Sequence, residues 1–387
     1  PCRDEPEPDD TLTNIVKLPH EDGTMREGYV WREPYWAPGT LIKVCAWDAQ
    51  ALEVSPTGKA CDELGAHTDS KCGCGPELKW CSWGNGNNLR NAFLEDLNRR
   101  IGSVIKEDRP YTDLLTETAM YVNGPLVHYF RYQAQLSDAF RMVPYTIPVA
   151  LLPDLHYLDS DTWVKIPLPQ YHSGVLTSPA FLLRFQTNRA RANEYQVNYL
   201  CEPFQPPAGG LPAATDEEAL EPDLQKRPGC KYCHTILEPE AAYWGRWPES
   251  GTGYLDPSNY PAFDLECQEC AMYGGCSTRC SRYYIVNALT VEEEPYFGWL
   301  KGYLFRSDVD MDNVEEGPHL LVKRTTYNQQ MPRCVVSHTM RWLAGREARS
   351  EESAWLGEVV ATFMGSDLSF RSMVKALVTS PLYRRVQ

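Results

Sequence analysis

Fourteen cysteines in 387 residues are the strongest constraint on how this chain can fold. A reducing cytosol rarely hosts so many cysteines unless they bind metal, whereas an oxidising compartment joins them into disulfides. We therefore expect an exported protein, periplasmic, extracellular or at the cell surface, that several disulfides hold together. If two of the fourteen cysteines carry a cofactor, the even number that remains suits a set of disulfides whose connectivity the spacing does not give.

One group of cysteines carries a specific chemical signature, the motif Cys230-Lys-Tyr-Cys233-His234. Two thiols three residues apart on the first turn of a helix can reach both vinyl groups of a haem, and the adjacent histidine can then ligate the iron. The motif predicts one covalently attached haem c with His234 as the proximal ligand. A plain disulfide beside a surface histidine, or a metal site, are the alternatives.

Large planar side chains and an arginine follow this motif. Arg246 could pair with a haem propionate, and Trp247 could form a wall of the pocket. We predict both as haem-binding residues. The alternative is an aromatic core patch beside a solvated arginine.

The sixth iron ligand is less constrained by the sequence. Small cytochromes usually take a methionine some distance after the proximal histidine, which favours Met331 or Met311, although each methionine could equally fill the core. The further candidates are Met272, Met340, His172, His319 and His338.

A second cysteine cluster consists of Cys267, Cys270, Cys276 and Cys280. Four thiolates so close together could hold zinc or an iron–sulfur cluster. In an oxidising compartment we expect disulfides instead.

Charge and hydropathy exclude several functions. The net charge of −15 and the scattered basic residues argue against a nucleic-acid surface, because phosphate binding needs clustered Lys and Arg. No apolar run approaches the roughly 20 residues that span a bilayer, so we expect no transmembrane segment. No phosphate-binding loop, serine elbow or HExxH motif supports a nucleotide enzyme or a hydrolase.

The pattern along the chain predicts a mainly α protein. Apolar residues recur at helical spacing in one segment, namely Leu89, Phe93, Leu94, Leu97, Ile101 and Ile105. A second helix is predicted over Tyr111–Tyr121. Five segments are predicted: a Cys-rich irregular arm (1–86), a helical domain (87–202), a Pro-rich acidic linker (203–229), a haem-binding region with a Cys-rich insertion (230–325) and a C-terminal helical domain (326–387).

Helices are also predicted over the ranges Pro125–Ser137, Ser178–Phe185, Ala192–Leu200, Val335–Gly345, Glu351–Met364 and Ser369–Val386. Ser369 or Asp367 is the predicted N-cap of the last of these helices. The alternating carboxylates of Asp308, Asp310 and Asp312 are typical of a calcium loop, but the glycine and glutamate that such a loop requires are missing. We therefore predict a solvated acidic loop there.

The order of short sequence blocks resembles secreted planctomycete and myxobacterial proteins of unassigned function that carry cytochrome-c-like domains. The blocks are Gly174-Val-Leu176-Thr177-Ser-Pro179-Ala-Phe181-Leu182, Leu200-Cys201-Glu-Pro203 with Pro206-Pro207, Cys230 through Pro239, Gly245-Arg246-Trp247, Cys334, Gly345-Arg346 and Ser380-Pro381-Leu-Tyr383-Arg384. The resemblance covers residues 90–387 and implies that Cys230, Cys233 and His234 hold a haem, ahead of a C-terminal helical domain. The Cys-rich insertion departs from that family's pattern.

These observations predict an exported mono-haem cytochrome that passes electrons, more an electron-transfer protein than a catalyst. Its size suggests a subunit of a larger envelope or surface assembly that relays electrons between redox partner proteins. Two alternatives stay open. One is a five-coordinate haem enzyme of peroxidase type, and the other is a disulfide-stapled structural or assembly protein in which haem is only structural or absent.

Overall fold

The chain is helical over most of its described length, so the predicted mainly α class is confirmed. A computed structural model describes residues 2–58, 60–61, 71–79, 87–133, 147–204, 210, 215, 221–249, 251–288, 290–303 and 308–384. Within these residues, no helix is both long enough and apolar enough to cross a lipid bilayer.

The α-helices are mostly short. In chain order they are α1 (Asn87–Glu107), α2 (Asp113–Thr116), α3 (Gly124–His128), α4 (Pro179–Arg184), α5 (Asn188–Tyr195), α6 (Lys231–Ala241), α7 (Leu265–Tyr273), α8 (Thr278–Tyr283), α9 (Asp308–Glu316), α10 (Pro318–Tyr327), α11 (Gln330–Ala344), α12 (Ser353–Gly365), α13 (Phe370–Thr379) and α14 (Pro381–Arg384). Two π-helical turns, Tyr129–Gln133 and Gln196–Leu200, extend α3 and α5.

The strands form small two-stranded sheets, in which β1 pairs with β2, β3 with β4 and β5 with β6. They are β1 (Leu18–Pro19), β2 (Met25–Arg26), β3 (Tyr29–Arg32), β4 (Ile42–Cys45), β5 (Ala119–Val122) and β6 (Val164–Pro167). The β3–β4 pair is antiparallel, with Tyr29 opposite Cys45 and Arg32 opposite Ile42.

The described residues divide into two compact units. Unit 1 comprises Pro1–Asp96 and Met120–Ile166, and unit 2 comprises Leu97–Ala119 and Pro167–Gln387. Part of the core of unit 1 is a small cluster of Leu12, Val30, Ala46 and Ala49. Unit 1 thus combines most of the predicted irregular arm with a later stretch of chain.

Unit 2 is built from packed helices. In it α5 packs against α6, α11 packs against α10 and α12, and α12 packs against α13. Its largest buried side chains include Trp244, Tyr195 and Phe363, each almost fully shielded from solvent. The haem-type motif therefore lies on a helix that the unit's apolar core holds in place.

Disulfides join most of the described cysteines, as the cysteine content predicts. The pairs are Cys2–Cys45, Cys61–Cys72, Cys201–Cys334, Cys267–Cys280 and Cys270–Cys276. Cys74 is also disulfide-bonded. The second cysteine cluster thus forms two local disulfides, as expected in preference to a zinc or iron–sulfur site.

Two sequence-based expectations for local structure were wrong. The helix predicted over Tyr111–Tyr121 is limited to α2, because the residues that follow pair as β5 with β6 instead of continuing the helix. The stretch around Asp310 is not a loop but the start of α9, which packs against the turn Ala242–Trp244. In both cases contacts with distant residues override the local sequence preference.

Two further expectations fall partly outside the described residues. The helix predicted over Pro125–Ser137 is observed as α3 and the turn Tyr129–Gln133, and residues 134–146 lie outside the described part. About half of the predicted acidic linker also lies outside it.

Candidate functional site

The Cys230–His234 motif lies at the start of α6. Cys230 immediately precedes the helix, and the backbone N–H groups of Cys233 and His234 both donate to the Cys230 carbonyl at 3.1 Å. This first turn brings the two cysteines and the histidine together at one helix end, as the sequence spacing predicts. The thiols of Cys230 and Cys233 are free and half-buried.

His234 is held by a carboxylate one helical turn further on. Its Nδ1 lies 2.7 Å from Glu238 Oε1, and the Glu238 side chain is only 5 % exposed. A carboxylate accepts hydrogen bonds only, so this contact places the proton of a neutral imidazole on Nδ1. Nε2 then carries the lone pair, which is the arrangement that metal-binding histidines commonly have.

Arg189 holds Glu238 in turn. Its Nε donates to Glu238 Oε1 at 2.6 Å, and this contact bridges α5 and α6. The three side chains therefore form a chain of polar contacts, Arg189–Glu238–His234, behind the motif. Neither Glu238 nor Arg189 was predicted from the sequence. Glu238 follows His234 by four residues, a spacing that places two side chains on one helix face, whereas nothing local points to Arg189.

The solvent-facing side of the motif carries apolar surface. Tyr232 is 42 % exposed and Ile236 is 49 % exposed, and they lie one turn apart on α6. At 100° per residue, this pair faces the side of α6 opposite to His234, so it is exposed apolar surface outside the helix face that carries the imidazole.

Glu238 also lines a cavity of about 280 Å³. Arg189, Arg282, Lys301 and Glu249 contribute charged groups to its lining. Burial lowers the pKa of Lys301, whose Nζ donates to the Ser281 carbonyl at 3.0 Å. The cavity therefore brings basic side chains from several segments of the chain close together.

Arg246 is placed in the interior of unit 2. Its guanidinium donates to both carboxylate oxygens of Glu315 at 2.7 Å and to the carbonyls of Leu255 and Tyr260 at 2.9 and 3.0 Å. A haem propionate would have to compete with these partners. A role of Arg246 at a haem stays a prediction.

Trp247 is also buried, at 1 % exposure. Its ring lies 5.0 Å from the ring of His172 and 5.2 Å from that of Tyr254. Two residues that the sequence singled out, Trp247 and His172, are thus neighbours in the core. Their part in a haem pocket stays a prediction.

The two favoured candidates for the sixth ligand lie on different helices. Met311 is half-buried on α9, which packs against α6. Met331 is completely buried on α11, which packs against α10, α12 and the turn Gln196–Leu200. Proximity of its helix to the motif favours Met311, and the choice remains a prediction.

The other ligand candidates are spread over unit 2. Met272 is exposed, Met340 is buried, and His319 is half-buried with a pKa that burial lowers. Nδ1 of the half-buried His338 lies 2.6 Å from a guanidinium nitrogen of Arg341.

Among the described residues, the other clusters of potential metal ligands contain cysteines that are already joined in disulfides. The two clusters of potential ligands there are Cys201 with Cys334 and His338, and Asp264 with Cys267 and Cys280. Each includes a disulfide, whose sulfurs are not thiolates and do not bind metal as such. Cys230, Cys233 and His234 therefore remain the group to which the chemistry points.

The resemblance to secreted cytochrome-c-like proteins rests on the sequence blocks alone. Comparison of the chain with protein-family models, with curated proteins and with solved structures finds no match.

Proposed function

We propose that this chain is an exported mono-haem c-type cytochrome that passes electrons to redox partner proteins within a larger envelope or surface assembly. The observation that carries the proposal is the pair of free thiols, Cys230 and Cys233, beside a histidine whose Nδ1 is already engaged. Disulfides take up the other described cysteines, and they are typical of exported proteins.

The residues of the motif fit a covalent haem. Each thiol would add across one vinyl group, forming a carbon–sulfur bond while the thiol hydrogen passes to the other vinyl carbon. His234 Nε2 would ligate the iron, and Glu238 would keep the proton on Nδ1 and fix the ring orientation. When bound, the haem supplies a one-electron carrier.

The cavity beside Glu238 suggests where acidic groups of the cofactor could be neutralised. Arg282 and Lys301 line it with basic side chains, whereas Arg246 is committed to Glu315 and two carbonyls. We therefore assign the propionate-pairing role to the cations of this cavity in preference to Arg246.

Visible spectroscopy tests the proposal. The protein is exported from a host with c-type haem maturation, and its oxidised and reduced spectra are recorded with a pyridine haemochrome assay after acid–acetone extraction. We expect a c-type band that survives extraction. The Cys230→Ala/Cys233→Ala double variant should lose it, whereas Cys270→Ala/Cys276→Ala, which removes as many cysteines, should keep it. No haem absorption in exported protein with its disulfides formed would overturn the proposal.

The number of disulfides favours a second candidate, a stapled structural or assembly protein. It becomes the leading function if the exported chain lacks haem. A high-spin, five-coordinate spectrum would instead favour the peroxidase-type enzyme.

A further inference from the structure

Unit 1 contains a cleft that the proposed electron transfer does not use. Its volume is about 440 Å³, within the usual range for small-molecule sites. We call it the aromatic cleft. It is lined by Tyr35, Trp36, His128, Arg131, Asp154 and Tyr157, together with Val127, Leu155 and His156.

The aromatic rings of the cleft pack against one another. The Trp36 ring centroid lies 5.0 Å from that of Tyr35 and 4.7 Å from that of Tyr157, and His128 lies 5.2 Å from Tyr35. The Trp36 ring is nearly perpendicular to that of Tyr35, at 88°, and is tilted by 52° to that of Tyr157, so the rings pack edge against face. A single ring face that lines the cleft can stack against the flat apolar side of a ligand.

The charges at the cleft compensate one another. Arg131 lies 3.8 Å from the carboxylate of Asp154, and its guanidinium also donates to the carbonyls of Leu152 and Pro153. Burial lowers the pKa of His128 to about 4, so its ring is neutral at physiological pH. Neither an anion nor a cation gains an uncompensated counter-charge here, and the cleft suits a neutral ligand.

Hydrogen-bonding groups surround the aromatic surface. The Leu158 N–H donates to Nδ1 of His156 at 3.3 Å, which leaves the proton of the neutral ring on Nε2, and this ring is exposed. The fully exposed carboxylate of Asp154 adds acceptors. A donor and acceptors that border an aromatic surface match a molecule with one apolar face and several hydroxyl groups at its edge.

We propose that the aromatic cleft binds a neutral saccharide, with the C–H face of a pyranose ring on Trp36 and its hydroxyl groups bonded to Asp154 and His156. The volume of the cleft accommodates one or two sugar rings. Such a site would tether the protein to a glycan at the cell surface or in the medium, independently of any redox function in unit 2.

The test titrates the full-length protein with millimolar cellobiose, maltose, N,N′-diacetylchitobiose and mannobiose, using calorimetry and tryptophan fluorescence. We expect at least one disaccharide to bind. Trp36→Ala should weaken its binding by roughly tenfold or more. The control is Trp31→Ala, which removes an exposed tryptophan of unit 1 outside the cleft and should leave binding unchanged.

Two further measurements keep the proposal falsifiable. Asp154→Asn changes only a fully exposed carboxylate and should weaken sugar binding even if Trp36→Ala unfolds unit 1. Tetramethylammonium and p-cresol are titrated as a cationic and a flat aromatic probe. The proposal is overturned if none of the four disaccharides binds, if only a non-sugar probe binds, or if sugar binding survives in both variants.

Discussion

The carboxylate of Glu238 has the most direct influence on the proposed iron site. It accepts a hydrogen bond from His234 Nδ1 while Arg189 partly compensates its charge. A negative charge at Nδ1 makes the imidazole a stronger electron donor, which stabilises the oxidised iron. Glu238→Gln removes that charge and should raise the midpoint potential by on the order of 60 mV, equivalent to a tenfold change for a one-electron couple.

Arg189 provides a control of opposite sign. Arg189→Gln leaves the charge of Glu238 less compensated and should lower the potential, by a smaller amount because the arginine is 48 % exposed. Redox titration of the reduced haem band measures both shifts. If the two variants shifted the midpoint potential equally in the same direction, or if neither shifted it, this would contradict the assignment of Glu238 to the proximal histidine.

Glu240 makes the stability of unit 2 depend on pH. Burial raises its pKa to about 7, against the lowering effect of a hydrogen bond from Gln196. The folded state therefore binds the proton more tightly than the unfolded chain, whose pKa for this carboxyl is near the ordinary value of 4.5. The stabilising contribution is complete below about pH 4.5 and is lost as the pH rises through 7.

Glu240→Gln should make the stability of unit 2 depend less on pH. Above about pH 7 the variant should be more stable than the wild type by up to ~3 kcal/mol, and the difference should vanish near pH 4.5. Glu358→Gln, which neutralises an exposed carboxylate, is the matched control and should follow the wild type. Chemical denaturation across the pH range measures the free energy of unfolding. Parallel curves for wild type and Glu240→Gln would refute the effect.

At the scale of single elements, the sequence predicted where a helix begins and ends better than it predicted which of its side chains are buried. The apolar spacing predicts α1 to within two residues of its ends, yet Leu94 and Ile101 on the predicted face are exposed. Asp96 and Arg100 are buried instead, because Asp96 accepts from the Tyr121 N–H and Arg100 donates to the Gly174 carbonyl. Because these hydrogen-bond partners lie far along the chain, the spacing of residues within α1 does not indicate them.

Ser369 is a cap that the sequence did identify. Its Oγ accepts from the Ser372 N–H at 3.1 Å, which begins α13, and donates to Asp108 at 2.7 Å. Ser369→Ala should destabilise unit 2 by about 1 kcal/mol and accelerate hydrogen exchange at Ser372. Ser369→Thr should retain both bonds. Ser369→Asp should fail to restore stability, because it places a second carboxylate beside Asp108.

Exposed Ser353, at the start of α12, supplies the control for the cap. Ser353→Ala should change stability by less than about 0.5 kcal/mol. An equal loss in Ser353→Ala and Ser369→Ala would show that the cap is not specific.

At the scale of the whole molecule, disulfides restrict the unfolded chain to different extents. Cys201–Cys334 closes a loop of 133 residues, whereas Cys270–Cys276 closes one of six. Loop-closure entropy predicts that Cys201→Ala/Cys334→Ala lowers the free energy of unfolding by roughly 5 kcal/mol and Cys270→Ala/Cys276→Ala by roughly 2 kcal/mol. Denaturant unfolding of both double variants measures the difference. Equal losses would contradict the entropic account.

Separation along the sequence also explains how much of the site could be predicted. Cys230, Cys233 and His234 lie within five residues, so their meeting on one helical turn follows from the sequence. Glu238 follows His234 by four residues, so the sequence alone places the two side chains on one helix face. Arg189, Arg282 and Lys301 lie on other segments of the chain, so their place beside Glu238 depends on tertiary packing, as of α5 against α6.

Intact-mass spectrometry of the exported protein, denatured without reduction and treated with a thiol-alkylating reagent, tests the central claim most directly. The account predicts the mass of the chain plus one haem, no alkylation at Cys230 or Cys233, and a haem-bearing peptide that contains both cysteines and His234. A chain without haem, whose Cys230 and Cys233 are alkylated or joined to each other, would contradict it.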